Sequence, residues 1–295
     1  MRMLVACVFF FLASGIGFAQ EKDIPIFLCS AVPSQDLEAN LIRFGPFALY
    51  LESKLGVPVR YVTTTSYEAT VEAFARHDIH LAWFGGLTGI QARRLSPGAE
   101  AIAQGAEDEN FKSYFIANTR LGLRRSTDFP DALKGKSFTF GSKVSTSGRL
   151  MPEFFIRKHL NGLAPAQIFS EIGFAGDHLK TLEAVQSGRF DAGALDYRVF
   201  DAESKAGRVD MDKVRIIWET PAYPDYHFTI QGDVDDLFGP GFKSKVRQAI
   251  LSLDDKAILS KFGRSKFIPA SNAEYSQIEK VLEQLLAEGA LAASR

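Results

Sequence analysis

The chain has 295 residues, with 34 Lys and Arg against 35 Asp and Glu and a formal net charge of −1. That balance excludes the broad basic footprint of a general nucleic-acid binder, and 46% hydrophobic with 23% charged residues excludes a disordered chain. The length accommodates about two domains, each burying its own core, and two cysteines, Cys7 and Cys29, supply neither a disulfide framework nor a cysteine zinc site.

Residues 1–20 carry one early charge at Arg2, then an apolar run, then Gly17-Phe18-Ala19. The run is too short, and too cleanly closed by small residues, for a membrane span; it reads as a secretory signal peptide cleaved after Ala19. Leu4-Val5-Ala6-Cys7 has the letters of a lipoprotein cleavage box, but the Phe-rich run follows Cys7 rather than preceding it, so no lipid anchor is expected. Cleavage removes Cys7 and leaves Cys29 without an intramolecular partner. No later stretch is apolar enough for a span, so an exported, soluble protein is expected.

Residues 24–29 form a short apolar run ended by Ser30-Ala31-Val32-Pro33, a buried strand and its turn. Over 36–55, Leu37, Leu41, Phe44, Phe47, Ala48 and Leu51 recur at helical spacing up to Gly56, and Pro46 predicts a kink or break. A strand over 57–63, a helix over 67–76 and a strand over 79–84 follow. This βαβαβ order predicts an α/β fold with a mostly parallel sheet flanked by helices. The order returns as a strand over 137–141, a helix over 148–160, a strand over 168–174, a helix over 177–187 and a strand over 190–195.

An offset of 111 residues aligns the two sets without gaps, placing Glu72-Ala73 on Glu183-Ala184, Val71 on Leu182 and Ser34 on Ser145. The reading is two similar lobes; the alternative is coincidence, since any two βαβ units slide into register. Strands over 111–119 and 214–219 read as leaving the first and second lobes, and helices over 242–253 and 275–291 return to the first. The expected division is a signal peptide over 1–19, a first lobe from 20–117 and 222–295, and a second lobe over 118–221. Two crossings make a hinge, and the cleft between lobes is the expected ligand position.

The strongest local signal is Gly141-Ser142-Lys143-Val144-Ser145-Thr146-Ser147-Gly148, a Ser/Thr-rich turn between a strand and a helix. Free N–H groups at a helix start, with the hydroxyls of Ser145, Thr146 and Ser147, form a donor-rich nest for an anion. An ordinary N-cap needs only one of them. Other helix starts lie at Thr63-Thr64-Thr65-Ser66-Tyr67, Gly85-Gly86-Leu87-Thr88 and Ala175-Gly176-Asp177-His178, and the offset pairs Tyr67 with His178 and Gly85-Gly86 with Asp196-Tyr197. In open α/β sheets ligands lie beyond the carboxyl ends of the strands, where all these tips fall.

His178 fits anion donation or a capping role, while His77 and His80 lack a third metal ligand nearby and read as structural. A carboxylate beside an anion is repulsive unless a proton is shared, so Asp196 either suits a ligand with an ionisable OH or an amine, or points at backbone amides or the hinge. No catalytic motif is present: no Gly-x-Ser-x-Gly, Ser-x-x-Lys, His-Glu-x-x-His or Cys-x-x-Cys.

These tracts resemble the phosphate, phosphite and phosphonate-type periplasmic substrate-binding proteins of ABC transporters. The carriers are Thr64-Thr65-Ser66-Tyr67 through Val71-Glu72-Ala73-Phe74, Ala82-Trp83-Phe84-Gly85-Gly86, the Ser145 tract, Gly176-Asp177-His178 and Asp191 through Tyr197. Ala82 through Gly89 and Thr220-Pro221-Ala222-Tyr223-Pro224-Asp225-Tyr226 are most similar to a branch labelled selenate-binding. The resemblance implies a two-lobed type II periplasmic-binding-protein fold and an oxyanion held by Ser145, Thr146 and Ser147, with Tyr67 and His178 from facing tips. Gly85, Thr88, Asp196 and Tyr197 complete the expected set, although Gly85-Gly86 departs from the Gly-Pro or Gly-Asn frequent there. It further implies a monomer without cofactor or enzymatic activity, working with an ABC permease and ATPase at the inner membrane. The alternatives are a two-lobed enzyme, against which the signal peptide argues, and a ligand-sensing module.

Overall fold

The computed structural model of the chain describes residues 25–33 and 37–290. The expected signal peptide and Ser34 lie outside the described residues.

The first unit opens with β1 (Phe27–Ala31), α1 (Leu37–Leu55), β2 (Val59–Tyr61), α2 (Tyr67–Ala75), β3 (Leu81–Phe84), α3 (Gly86–Leu95) and β4 (Glu100–Gly105). Pro46 sits inside α1 without breaking it. Proline removes the bond to the carbonyl four residues back, and that residue, Ile42, is 64% exposed, so water reaches its carbonyl. The opposite face holds the helix down through Phe44, Phe47 and Leu51, all buried; the Phe44 ring lies 5.4 Å from Tyr61 and the Phe47 ring 5.2 Å from Phe228.

The second unit contains β5 (Ser113–Asn118), β6 (Ser137–Phe140), a π-helical turn (Thr146–Leu150) leading into α4 (Met151–His159), α5 (Pro165–Ile168), β7 (Glu171–Phe174), α6 (His178–Gln186), β8 (Ala192–Asp196), α7 (Tyr197–Lys205) and β9 (Val214–Glu219). The chain then returns through β10 (His227–Ile230), α8 (Val234–Phe238), α9 (Phe242–Leu251), α10 (Lys256–Phe262), β11 (Phe267–Pro269) and α11 (Ser276–Ala287).

A six-stranded sheet has the order β2-β1-β3-β10-β4-β11 and a five-stranded sheet the order β7-β6-β8-β5-β9. In the first, β1 runs parallel to β2 and β3, and β10 is inserted antiparallel between β3 and β4. In the second, β6 runs parallel to β7 and β8, and β5 is inserted antiparallel between β8 and β9. The sheets are therefore mixed, and their first five strands correspond one to one. The 111-residue offset carries Tyr67–Ala75 onto His178–Gln186 and matches N-caps Ser66 with Asp177 and Gly85 with Asp196. Matched helix bounds, caps and strand order favour two similar units over coincidental register.

One expectation needs correction. The strand over 111–119, read as leaving the first lobe, belongs to the second sheet as β5, so the first crossing lies near Phe111 rather than after residue 117. Strand membership is decided by pairing partners, here β8 and β9, which local sequence does not specify. At the crossings Phe111 and Tyr223 exchange two backbone hydrogen bonds of 2.9 Å each, and Asp225 N–H donates to the Asp108 carbonyl at 3.1 Å. Beneath them Arg264 donates to both oxygens of the fully buried Asp108 at 2.6 and 2.5 Å. A second tie between the units runs from Arg157 of α4, bonded to Glu153 at 3.0 Å, to Glu288 beyond α11 at 3.5 Å.

Candidate functional site

Four helix starts meet between the sheets: α2 and α3 from the first unit, the π-helical turn and α6 from the second. Each leaves its leading N–H groups without intrahelical acceptors, and each carries the partial positive end of a helix dipole. Ser66 and Asp177 spend their side chains on the N–H groups of Ala69 and Lys180, at 3.1 and 2.8 Å, as caps.

Ser145 is also a cap, accepting from Gly148 N at 2.9 Å. Thr146 does more. Its hydroxyl accepts from Leu87 N of α3 at 3.0 Å and lies close enough to the Asp225 carboxyl to stabilise its charge, so one side chain of the second unit meets two elements of the first. Ser147 is buried, with its carbonyl accepting from Ser113 Oγ at 2.7 Å. A Cβ on Gly85 would stand 3.0 Å from Thr146 Oγ1 and 3.1 Å from Asp225 Oδ1; the missing side chain lets the units approach this closely.

Tyr67 and His178, the first residues of α2 and α6, face each other with rings 6.4 Å apart at 78°. The Tyr67 hydroxyl lies near Tyr226, whose own hydroxyl is 3.5 Å from His178 Nε2. His178 is 1% exposed, and its Nδ1 accepts from Asp196 N at 3.2 Å. Burial holds this imidazole below its ordinary 6.5, against the opposing pull of Asp196 and Asp177. A neutral ring accepting at Nδ1 keeps its proton on Nε2, aimed at Tyr226 and the cleft. Long-range ¹H–¹⁵N spectra at pH 7 are expected to show His178 as the neutral Nε2–H tautomer; an Nδ1–H ring would contradict this arrangement.

The expected residues do not all gather here. The Thr88 hydroxyl is spent on the Gly85 carbonyl at 3.1 Å, inside its own helix start. Tyr197 turns away from the cluster and packs on Phe111 and Tyr114, with ring centres at 5.0 and 5.9 Å. Asp196 caps α7, its Oδ1 accepting from Arg198 N at 2.8 Å. His80 Nδ1 accepts from Leu28 N at 2.9 Å, binding β1 to the start of β3. Among the described residues no group of three His, Cys, Asp or Glu is arranged to hold a metal ion.

Sequence reasoning did not include Asp225 and Tyr226 among the site residues. Asp225 is fully buried; its Oδ1 accepts from Gly86 N at 2.8 Å, while its Oδ2 has no hydrogen-bond partner. Burial pushes its carboxyl up to about 7, opposed by the bonds from Gly86 and Thr146 and reinforced by the charges of Asp196 and Asp108. The available signal was the hinge position of Thr220 through Tyr226, which carries no local helix-start pattern.

Two matching sheets joined by paired crossings, with polar helix starts converging between them, define a two-lobed substrate-binding protein. Residues 29–275 match the family described as ABC transporter, phosphonate, periplasmic substrate-binding protein, and the chain belongs to this family. It is 38% identical over 268 residues to the probable ABC transporter phosphite binding protein PhnD1 of Prochlorococcus marinus (strain MIT 9301), covering 86% of this chain and 88% of that one. The structure of PhnD1 in complex with methylphosphonate superposes with a TM-score of 0.83, covering 88% of this chain and 98% of that one. The phosphonates-binding periplasmic protein of Escherichia coli (strain K12) is 22% identical, covering 89% of this chain and 76% of that one. A binding component of a Pseudomonas aeruginosa ABC phosphonate transporter, at 18% identity and TM-score 0.77, shares the fold.

Proposed function

We propose that this protein captures a small phosphorus oxyanion, such as phosphite or methylphosphonate, in the cleft between its lobes and delivers it to an ABC importer. The observation that carries the reading is Asp225: a fully buried carboxyl with an unpartnered oxygen, close to the hydroxyl tract at Thr146. Such a group tolerates an anion only by sharing a proton with it. The role first considered for Asp196 therefore passes to Asp225. Phosphite, phosphate and phosphonates carry an ionisable OH; sulfate and selenate do not at neutral pH, which counts against the selenate label.

In this reading Ser145, Thr146 and Ser147 supply hydroxyl and backbone donors, while Tyr67, His178 Nε2–H and Tyr226 close the facing side. The lobes divide near residues 112 and 222, and a bridging ligand adds contacts available only in the closed arrangement, shifting the hinge equilibrium. Export through the residue 1–19 segment to the periplasm, action as a monomer, partnership with a permease and ATPase, and absence of turnover complete the proposal.

Isothermal titration with phosphite, phosphate, methylphosphonate, sulfate, selenate and selenite tests it. Phosphite or methylphosphonate is expected to bind below the millimolar range and more tightly than sulfate or selenate. Absence of sub-millimolar binding by all six overturns the oxyanion reading.

A further inference from the structure

One face of α3 is given over to the segment that carries Asp225. Gly86, Gly89 and Arg93 stand at i, i+3 and i+7 along the helix and so lie in one row. Gly86 N donates to the Asp225 carboxyl at 2.8 Å. A Cβ on Gly89 would collide with His227 Nε2 and Cε1, so only glycine leaves room for that ring. Arg93 Nη1 donates to His227 Nε2 at 2.6 Å.

His227 opens β10 directly after the crossing and is fully buried. A guanidinium can only donate, so its contact requires a lone pair on Nε2 and leaves the ring proton on Nδ1. Nδ1 lies 3.1 Å from the Asp225 carbonyl and donates to it. The Asp225 N–H is held by the Asp108 carbonyl at 3.1 Å. The peptide groups on both sides of Asp225 are therefore tied, one of them by this histidine.

The ring also stacks on Tyr275, with centres 3.9 Å apart. Arg93 reaches Thr229 Oγ1 at 3.4 Å, lies over the Tyr275 ring at 5.5 Å and stands within electrostatic reach of Glu279. Burial, reinforced by the Arg93 charge, holds the imidazole well below its ordinary 6.5, so the ring is neutral. The arrangement is costly for stability. Glycine inside a helix is less stable than alanine, and a part-buried cation is set against a ring that carries no charge. Apolar packing would avoid both costs; what they secure is the Asp225 peptide.

We infer that His227 is a positioning residue for oxyanion recognition: the Gly89 and Arg93 face of α3 fixes its tautomer, and its Nδ1–H holds the Asp225 peptide so that the carboxyl meets the ligand beside Gly86. This rests on the oxyanion reading above.

The test compares His227→Asn with His227→Gln. Asn places an amide N–H where Nδ1 stood but leaves Arg93 without its acceptor. Gln keeps an acceptor for Arg93 where Nε2 stood and has no donor at the Nδ1 position. His227→Gln is therefore expected to melt higher than His227→Asn, yet to bind methylphosphonate about tenfold more weakly than wild type, while His227→Asn stays within about threefold. Methylphosphonate affinity in His227→Asn no tighter than in His227→Gln overturns the inference, because binding then follows packing. If His227→Asn does not fold, a tenfold loss in a folded His227→Gln upholds the inference and wild-type affinity overturns it. Long-range ¹H–¹⁵N spectra of the wild type are expected to show His227 as the Nδ1–H tautomer; an Nε2–H ring overturns the inference without any ligand. Failure of the wild type to bind either phosphite or methylphosphonate below the millimolar range overturns the oxyanion reading, and the inference only through it.

Discussion

Replacing Ser145 and Thr146 together by Ala is expected to weaken oxyanion binding by about a hundredfold. Hydrogen bonds to a charged group are worth about 1.5–3 kcal/mol each, and about 1.4 kcal/mol is tenfold in affinity. Thr146 adds a second loss, because its hydroxyl also accepts from Leu87 N across the cleft. Ser145 also caps its helix start through Gly148 N: losing a helix cap costs about 1 kcal/mol, so a modest fall in the unliganded melting temperature accompanies the loss of affinity. Thr88→Ala separates the two effects, because it removes a buried hydroxyl bonded only within its own helix start. It should lower the melting temperature and leave affinity within about threefold. Wild-type affinity in the double variant, measured by calorimetry, would reduce the tract to a cap.

The second large effect belongs to Asp225→Asn, and it runs in opposite directions for stability and binding. In the folded protein the Asp225 carboxyl keeps its proton up to about 7, because burial opposes its charge, against an ordinary value of 3.8. Between those values the folded chain binds more protons than the unfolded chain, so stability falls as pH rises from 3.8 through 7 and the whole penalty stands above 7. A carboxyl moved that far corresponds to about 4 kcal/mol at most. Asn carries no charge and keeps one oxygen to accept from Gly86 N. The unliganded variant should therefore melt several degrees higher than wild type at pH 8 and differ little at pH 4. Its affinity for phosphite or methylphosphonate should drop by about tenfold or more, since the amide cannot take a proton from the ligand. Thermal melts at the two pH values, paired with calorimetry, check both halves; an unchanged or lower melting temperature at pH 8 would contradict the buried-charge account.

A side chain that costs stability and has one unpartnered oxygen is what a ligand site looks like before its ligand arrives. Sites of this kind depart from the local rules the rest of the chain obeys. Ser66, Asp177 and Asp196 obey those rules as helix caps, and the facing pair Tyr67 and His178 could be picked out because each follows its cap. Asp225 and Tyr226 follow a proline-rich crossing with no periodic pattern, so nothing local singled them out. Thr88 and Tyr197 were drawn into the expected set by the same proximity to helix starts, yet Thr88 bonds its own helix start and Tyr197 packs into an aromatic group beside the hinge.

The near-neutral composition, the βαβ order and the 111-residue offset determined from sequence alone that two similar α/β units would present helix starts toward one another. Those features are encoded in short-range periodicity, caps and turns, which each segment specifies for itself. Tertiary structure alone decided that β5 and β10 are exchanged into the sheets on either side of the crossings. Nor could sequence show that Asp225 accepts from Gly86 and lies close to Thr146, or that the Arg198 guanidinium passes over Gly263. These depend on contacts between residues far apart in sequence, where pairing geometry and burial, not local propensity, set the free energy.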